Sequence, residues 1–213
     1  MDSLMAVFLG WLLGILGQRP IIYIQQSFKK PAIKKSIIAE LEDLRCGLAM
    51  TSSILLWRIG EIDKNYLQWV RPILKSYEGY YRYLDISDPV DKLLQTKDED
   101  FEVVMKVIRS KANLNEGLTL RKLNTPFIDN NYKEIEMFDV RFQKDILEIC
   151  RQVKNINEEI DNARFYFTKT FDSGLSENNG IIVRKNLESS YRNIAKMSIN
   201  TTNNISAVVK RAT

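Results

Sequence analysis

Catalysis at neutral pH needs a base, a nucleophile or a set of metal ligands, and this sequence is sparing with all three. Histidine is absent from the 213 residues, which removes the usual general base and the commonest ligand of catalytic zinc. Acidic residues are grouped at Asp98-Glu99-Asp100 and Glu158-Glu159. The first group stands at an expected helix start, where the macrodipole favours negative charge, and the second flanks an apolar seam. Both read as solvated faces. Cys46 and Cys150 are far apart with no CxxC spacing, as expected of buried reduced thiols. The aromatic run Tyr77, Tyr80, Tyr81 and Tyr83 reads as core and interface. No P-loop, Gly-rich phosphate loop or nucleophile elbow is present. The expectation is a protein without a catalytic centre, cofactor or metal.

Charge points to a location more than to a reaction. Lys and Arg number 31 against 27 Asp and Glu. Up to Ala39 there are five basic residues (Arg19, Lys29, Lys30, Lys34, Lys35) against Asp2, and the remainder holds 26 of each sign. With a neutral body, no direct nucleic-acid binding is expected.

The elements that carry this charge begin with an apolar one. Leu4–Gly17 is uncharged for 14 residues, and after Gln18-Arg19-Pro20 apolar character resumes to Phe28. A helix over these 25 residues is about 37 Å long, enough to cross a hydrocarbon layer of about 30 Å with tilt. Met1-Asp2-Ser3 lacks the basic start of a signal peptide. The expectation is a single transmembrane helix in an anchor domain of residues 1–30, with the N-terminus out. Residues 31–213 then form a cytoplasmic domain, because Lys29, Lys30, Lys34 and Lys35 follow the span and no basic residue precedes it. Within the span Gly10 and Gly14 form a GxxxG with Gly17 one turn on, a face that lets helices approach closely in lipid. Arg19 is expected to snorkel to the interface, given its cost at the bilayer centre.

The body reads as all-α, a bundle of about four long helices. Ile37, Leu41, Leu44, Leu48, Leu55 and Ile59 recur in steps of three and four, with Gly60 as the stop. The uncharged run Gly47–Trp57 is too short to span a bilayer and reads as core. A second helix is expected from Asp63 to about Tyr83, kinked at Pro72. Two shorter ones are expected from Ser87 to Thr96 and from Asp98 to about Ala112, with a long loop over Asn113–Asp129. The longest helix is expected from Tyr132 to about Phe171, with a stutter at Phe138, Phe142 and Ile146. After the Asp172-Ser173-Gly174 and Asn178-Asn179-Gly180 breaks, a last helix carries Leu187, Tyr191, Ile194, Ile205 and Val208, with Ser198 and Thr201 making its middle polar.

One short stretch adds a resemblance. Tyr191-Arg192-Asn193-Ile194-Ala195-Lys196-Met197 resembles the Arg-x4-His signature of HEPN ribonucleases, helical-bundle proteins in which a polar residue, often Asn, follows the arginine. Met197 stands at the histidine's place, so the resemblance implies a HEPN-like scaffold without nuclease activity, marked by Arg192 and Asn193. A span joined to such a bundle is similar in architecture to the ring-forming membrane accessory proteins of type VI-B CRISPR systems. Together these features lead to the expectation of a homo-oligomeric membrane effector, possible in antiviral defence, whose spans form or perturb a membrane assembly or pore. Gly10, Gly14, Gly17 and Arg19 are its assembly residues, and the bilayer and a cytosolic protein are its partners. The rival expectation is a tethered scaffold or adaptor.

Overall fold

The computed structural model describes the backbone of residues 2–79, 87–111 and 120–212, with side chains from residue 29 onward save 87, 109 and 111. Among the described residues every regular element is helical, with no strand. The first helix, α1, runs unbroken from Asp2 to Ile59, 58 residues, straight through Pro31 at the boundary expected between anchor and body. No helix among the described residues is long and apolar enough to cross a membrane. The side chains of the span expected over Leu4–Phe28, including Gly10, Gly14, Gly17 and Arg19, lie outside the described residues.

Gly60 ends α1 as its position demands. Its φ of 71° is left-handed, and its N–H bonds Trp57 O at 3.1 Å while Glu61 N–H bonds Leu56 O at 2.8 Å. These are the two closures of a Schellman motif. Asp63 then caps α2 (Lys64–Lys75), its carboxylate accepting from Tyr66 N at 2.6 Å. This helix stops well short of Tyr83. Ser76 donates its N–H to Pro72 O at 3.0 Å and its hydroxyl to Ile73 O at 3.2 Å. Tyr77 then turns inward, packing with Cys46 and Met50 and donating its hydroxyl to Asp43 at 2.5 Å. Gly79 has to be small, because the Tyr77 phenol stands where its Cβ would be. The rest of the tyrosine run lies outside the described residues. The two short helices follow as α3 (Ser87–Gln95) and α4 (Asp98–Lys111).

Residues 120–137 are not an open loop. They hold α5 (Pro126–Asn130) and a 3-10 turn at Tyr132–Met137, strapped to both neighbouring long helices. Glu40 of α1 accepts from the N–H groups of Phe127 and Ile128 at 2.7 and 2.8 Å, satisfying donors that a helix start leaves unpaired. Asn157 and Arg164 of the next long helix bind the backbone of Leu123 and Leu120. Leu120, Ile128 and Ile135 thereby enter the main core.

That next helix, α6, spans Val140–Lys169, 30 residues, instead of starting at Tyr132. Phe138 is extended (φ −89°, ψ 169°) and Asp139 caps the helix by accepting from Phe142 N at 2.9 Å. Phe138 packs on Phe142 with ring centroids 5.1 Å apart. The spacing of Phe138, Phe142 and Ile146 is therefore no stutter. It is an aromatic contact across a helix start, between the residue before the cap and the third residue of the helix. The last helix, α7, covers Glu177–Ala212 and runs straight through Asn178-Asn179-Gly180, so the only break is the turn at Asp172–Gly174.

Among the described residues three long helices, rather than about four, make the bundle, and α7 packs along both α1 and α6. Lys34 bonds Ala212 O and Arg192 bonds Glu61, so α7 is antiparallel to α1. It is antiparallel to α6 as well, through Asp145–Arg211 and Gln152–Asn204. The α6 seam Phe142, Ile146, Ile149, Val153, Ile156, Ile160 and Ala163 is buried within the chain, and so is spent on folding rather than left over for self-association. Helices α2, α3 and α4 form a second, smaller core with Ala49 on another side of α1. Cys46–Met50 is buried all round for that reason.

The middle of α7 is small and polar yet buried: Ser198 and Thr202 are fully inaccessible, and neither hydroxyl has a hydrogen-bond partner. Thr201, also buried, donates to Met197 O at 2.9 Å. An unpaired buried hydroxyl costs about 1–3 kcal/mol. Thr202→Val should therefore raise the thermal midpoint of the chain, Thr201→Val should give no comparable gain, and Ile194→Ala should lose about 2–5 kcal/mol. Thermal denaturation followed by circular dichroism ranks the three.

Candidate functional site

The groups singled out for chemistry stay apart in the fold. Asp98 pairs with Lys64 at 2.5 Å, while Glu99 and Asp100 are exposed. Glu158 is exposed, and Glu159 accepts from Asn162. Among the described residues no three His, Cys, Asp or Glu side chains are grouped to hold a metal ion. Cys46 is buried in the α1–Tyr77 cluster and Cys150 half-buried in α6. Burial pushes both thiols up to about 11, with the Asp129 and Glu40 carboxylates adding to the effect at Cys150. Tyr66 is likewise raised to about 12 by burial. Its hydroxyl joins Ser52 and Ser53 at 2.7 and 2.8 Å and fastens α2 to α1.

Arg192 is engaged in structure. Its guanidinium reaches Glu61 Oε1 at 2.5 Å, just past the end of α1, and Glu188 at 2.8 Å on its own helix. These carboxylates hold its pKa above the ordinary arginine value. Asn193 beside it is exposed. The pair clips α7 to the end of α1, and as an exposed ion pair it adds little stability.

The concentration of unusual side chains lies at the opposite end, where α6 begins and α7 finishes beside residues 29–35 of α1. Arg141 and Lys144 open α6, and Lys210 and Arg211 close α7. They join Lys29, Lys30, Lys34 and Lys35. A cleft of about 440 Å³ lies among them, with Lys30, Lys34, Arg141 and Arg211 around Phe138 and Phe142. Lys34 Nζ donates to Ala212 O at 2.7 Å, a cation at a helix C-terminus where the macrodipole favours one. Arg211 pairs with Asp145 at 2.5 Å. Lys30 Nζ sits 5.7 Å from the centre of the Phe138 ring. Asp139 is held below the usual carboxylate range first by the Phe142 N–H, with Lys30 contributing.

Sequence reasoning located the surplus positive charge in α1 alone. It missed Arg141, Lys144, Lys210 and Arg211, because the neutral tally of the body hides how its charges are distributed between the two ends. The usable signal was helix order: an α7 returning antiparallel must bring its last turn beside Lys30 and Lys34.

Comparison of the chain with protein-family models, curated proteins and solved structures finds no match. The HEPN-like resemblance of residues 191–197 therefore stays a likeness of one short stretch.

The raised thiol pKa values carry a direct consequence. Because the thiolate is the nucleophile, and each thiol ionises only near pH 11, the folded chain should react slowly with iodoacetamide at pH 8. Denaturant should make both cysteines react at ordinary thiol rates. Rapid labelling of the folded chain, read by mass spectrometry, would mean that at least one thiol is activated.

Proposed function

We propose that this chain is a non-enzymatic, oligomeric membrane effector, inserted through residues 1–30 with its N-terminus out and its helical bundle in the cytoplasm. One observation carries the reading: α1 is a single helix from Asp2 to Ile59. The apolar N-terminal stretch and the core residues Ile37–Leu55 therefore belong to one rod, about 87 Å long at the standard rise. A passive tether needs only apolar length and works as well through a flexible linker. A continuous helix instead transmits a tilt or rotation of the bundle to the membrane segment.

Charge supports the same orientation. The end of the bundle next to the apolar stretch gathers basic residues from α1, α6 and α7, and cations near an anionic leaflet gain about 1 kcal/mol each. At the far end, Phe165, Phe171, Ile181 and Ile182 are exposed around the α6–α7 turn. They give a second copy or a cytosolic partner an apolar surface to engage. In this reading the Gly10, Gly14 and Gly17 face brings spans together and Arg19 stands at the interface.

The exposed tip also serves the second reading, a tethered scaffold that recruits a cytosolic protein. Inserting a flexible Gly-Ser linker between Phe28 and Lys29 separates the two, because it keeps anchor and bundle intact and removes only their rigid connection. In cells overproducing the chain, wild type should raise dye entry. The linker insertion, Gly10→Leu with Gly14→Leu, and Arg19→Leu should each fractionate with the membrane while dye entry falls toward background. Unchanged permeability with wild type, or a linker variant as harmful as wild type, would replace the effector with the scaffold.

A further inference from the structure

The cleft at the basic end has the composition of an anion site with an apolar floor. Four cationic side chains, Lys30, Lys34, Arg141 and Arg211, line it with two carboxylates, Asp139 and Asp145. Both carboxylates are already engaged: Asp139 caps α6 through the Phe142 N–H, and Asp145 is paired with Arg211. Lys34 is held by the Ala212 carbonyl. Among the described residues Lys30 and Arg141 carry no ion pair. Both are exposed, and they come from different helices. Four cations against two carboxylates leave the cleft a surplus of two positive charges, beside a phenylalanine floor made by Phe138 and Phe142. Asp139, on which Lys30 acts, offsets only part of that charge.

A guanidinium binds two oxygens of a phosphate at once, and an ammonium adds a point charge. The phenylalanines and Val208 suit the glycerol and first methylene groups attached to such a phosphate. A volume of about 440 Å³ lies within the range of small-ligand sites, about 300–1,000 Å³. The location, at the end of the bundle reached by α1 directly after its apolar stretch, decides between a dissolved and a lipid-borne phosphate. We propose that this cleft binds the phosphodiester headgroup of an anionic phospholipid, clamped between Lys30 and Arg141. The choice of a lipid rests on the membrane reading, whereas the phosphate chemistry does not. Occupancy would fix the bundle against the bilayer surface and set the angle of α1, making lipid composition an input to the assembly.

The test uses the full chain purified in a neutral detergent. Native mass spectrometry measures retention of short-chain phosphatidylglycerol against phosphatidylcholine. A second arm, free of any lipid, titrates glycerol 1-phosphate and follows the thermal midpoint. Wild type should retain phosphatidylglycerol selectively, and glycerol 1-phosphate should raise the midpoint and displace the lipid. Lys30→Glu with Arg141→Glu should weaken retention by about tenfold or more, and the neutral pair Lys30→Ala with Arg141→Ala should weaken it less at an unchanged midpoint without ligand. Lys92→Glu with Lys106→Glu, exposed residues of α3 and α4 remote from the cleft, should bind as wild type does. A midpoint raised by glycerol 1-phosphate without lipid retention would keep the phosphate site and overturn the lipid as its occupant. Equal retention by wild type and both Lys30/Arg141 pairs, with no response to glycerol 1-phosphate, would overturn the site. Membrane fractionation of the same variants reports on the anchor separately, so failure of the cleft and failure of the membrane reading give different results.

Discussion

Close packing of α7 against two partners at once is the constraint on which the rest of the structure depends. Its buried positions are Leu187, Ser190, Tyr191 and Ile194 in one half and Ile205 and Val208 in the other, with Ala195, Ser198, Thr201 and Thr202 between them. Small side chains at the centre suit close approach of backbones, and the large apolar ones lock the two ends. The unpaired hydroxyls of Ser198 and Thr202 are the cost of that arrangement, since a buried donor without a partner loses its hydration. Apolar burial along three helices offsets it.

From this constraint the placement of the ends follows. Since α7 returns antiparallel to both α1 and α6, its C-terminal turn, the first turns of α6 and residues 29–35 of α1 must meet. Like charges from three helices are thereby brought together, and among the described residues Asp139, Asp145 and the α7 carbonyl end moderate them. The opposite end collects the Arg192 clip and the exposed aromatic and aliphatic side chains of the α6–α7 turn. The bundle is thus cationic at one end and exposes aromatic and aliphatic side chains at the other.

The segment 120–137 shows how a polar side chain can decide tertiary order. Glu40 satisfies two backbone donors at the start of α5, Asn157 both donates to and accepts from Leu123, and Arg164 reaches Leu120. With those groups paired, the segment can bring Leu120, Ile128 and Ile135 into the core at little polar cost. None of these partners is local in sequence, and the distance along the chain is why the stretch reads as an open loop.

What the sequence determined by itself was everything governed by local pattern: an all-helical chain, the apolar stripes of α1, α6 and α7, the stop at Gly60, the cap at Asp63 and the short helices after Ser87 and Asp98. Those signals act over a turn or two and survive in any tertiary setting. Where two local readings competed, the fold decided. Phe138, Phe142 and Ile146 suit a continuous helix with a stutter and equally suit a capped helix start, and the 3-10 turn packing on α1 selects the cap. Asn178–Gly180 suits a break, yet α7 continues through it. Pro72 suits a kink in a long helix, but Tyr77 finds Asp43 and the helix ends. The basic cleft was illegible for a different reason: its cations come from Lys30, Arg141 and Arg211, whose spacing in sequence carries no information about which helix ends meet. Only the antiparallel return of α7 puts them around one cavity.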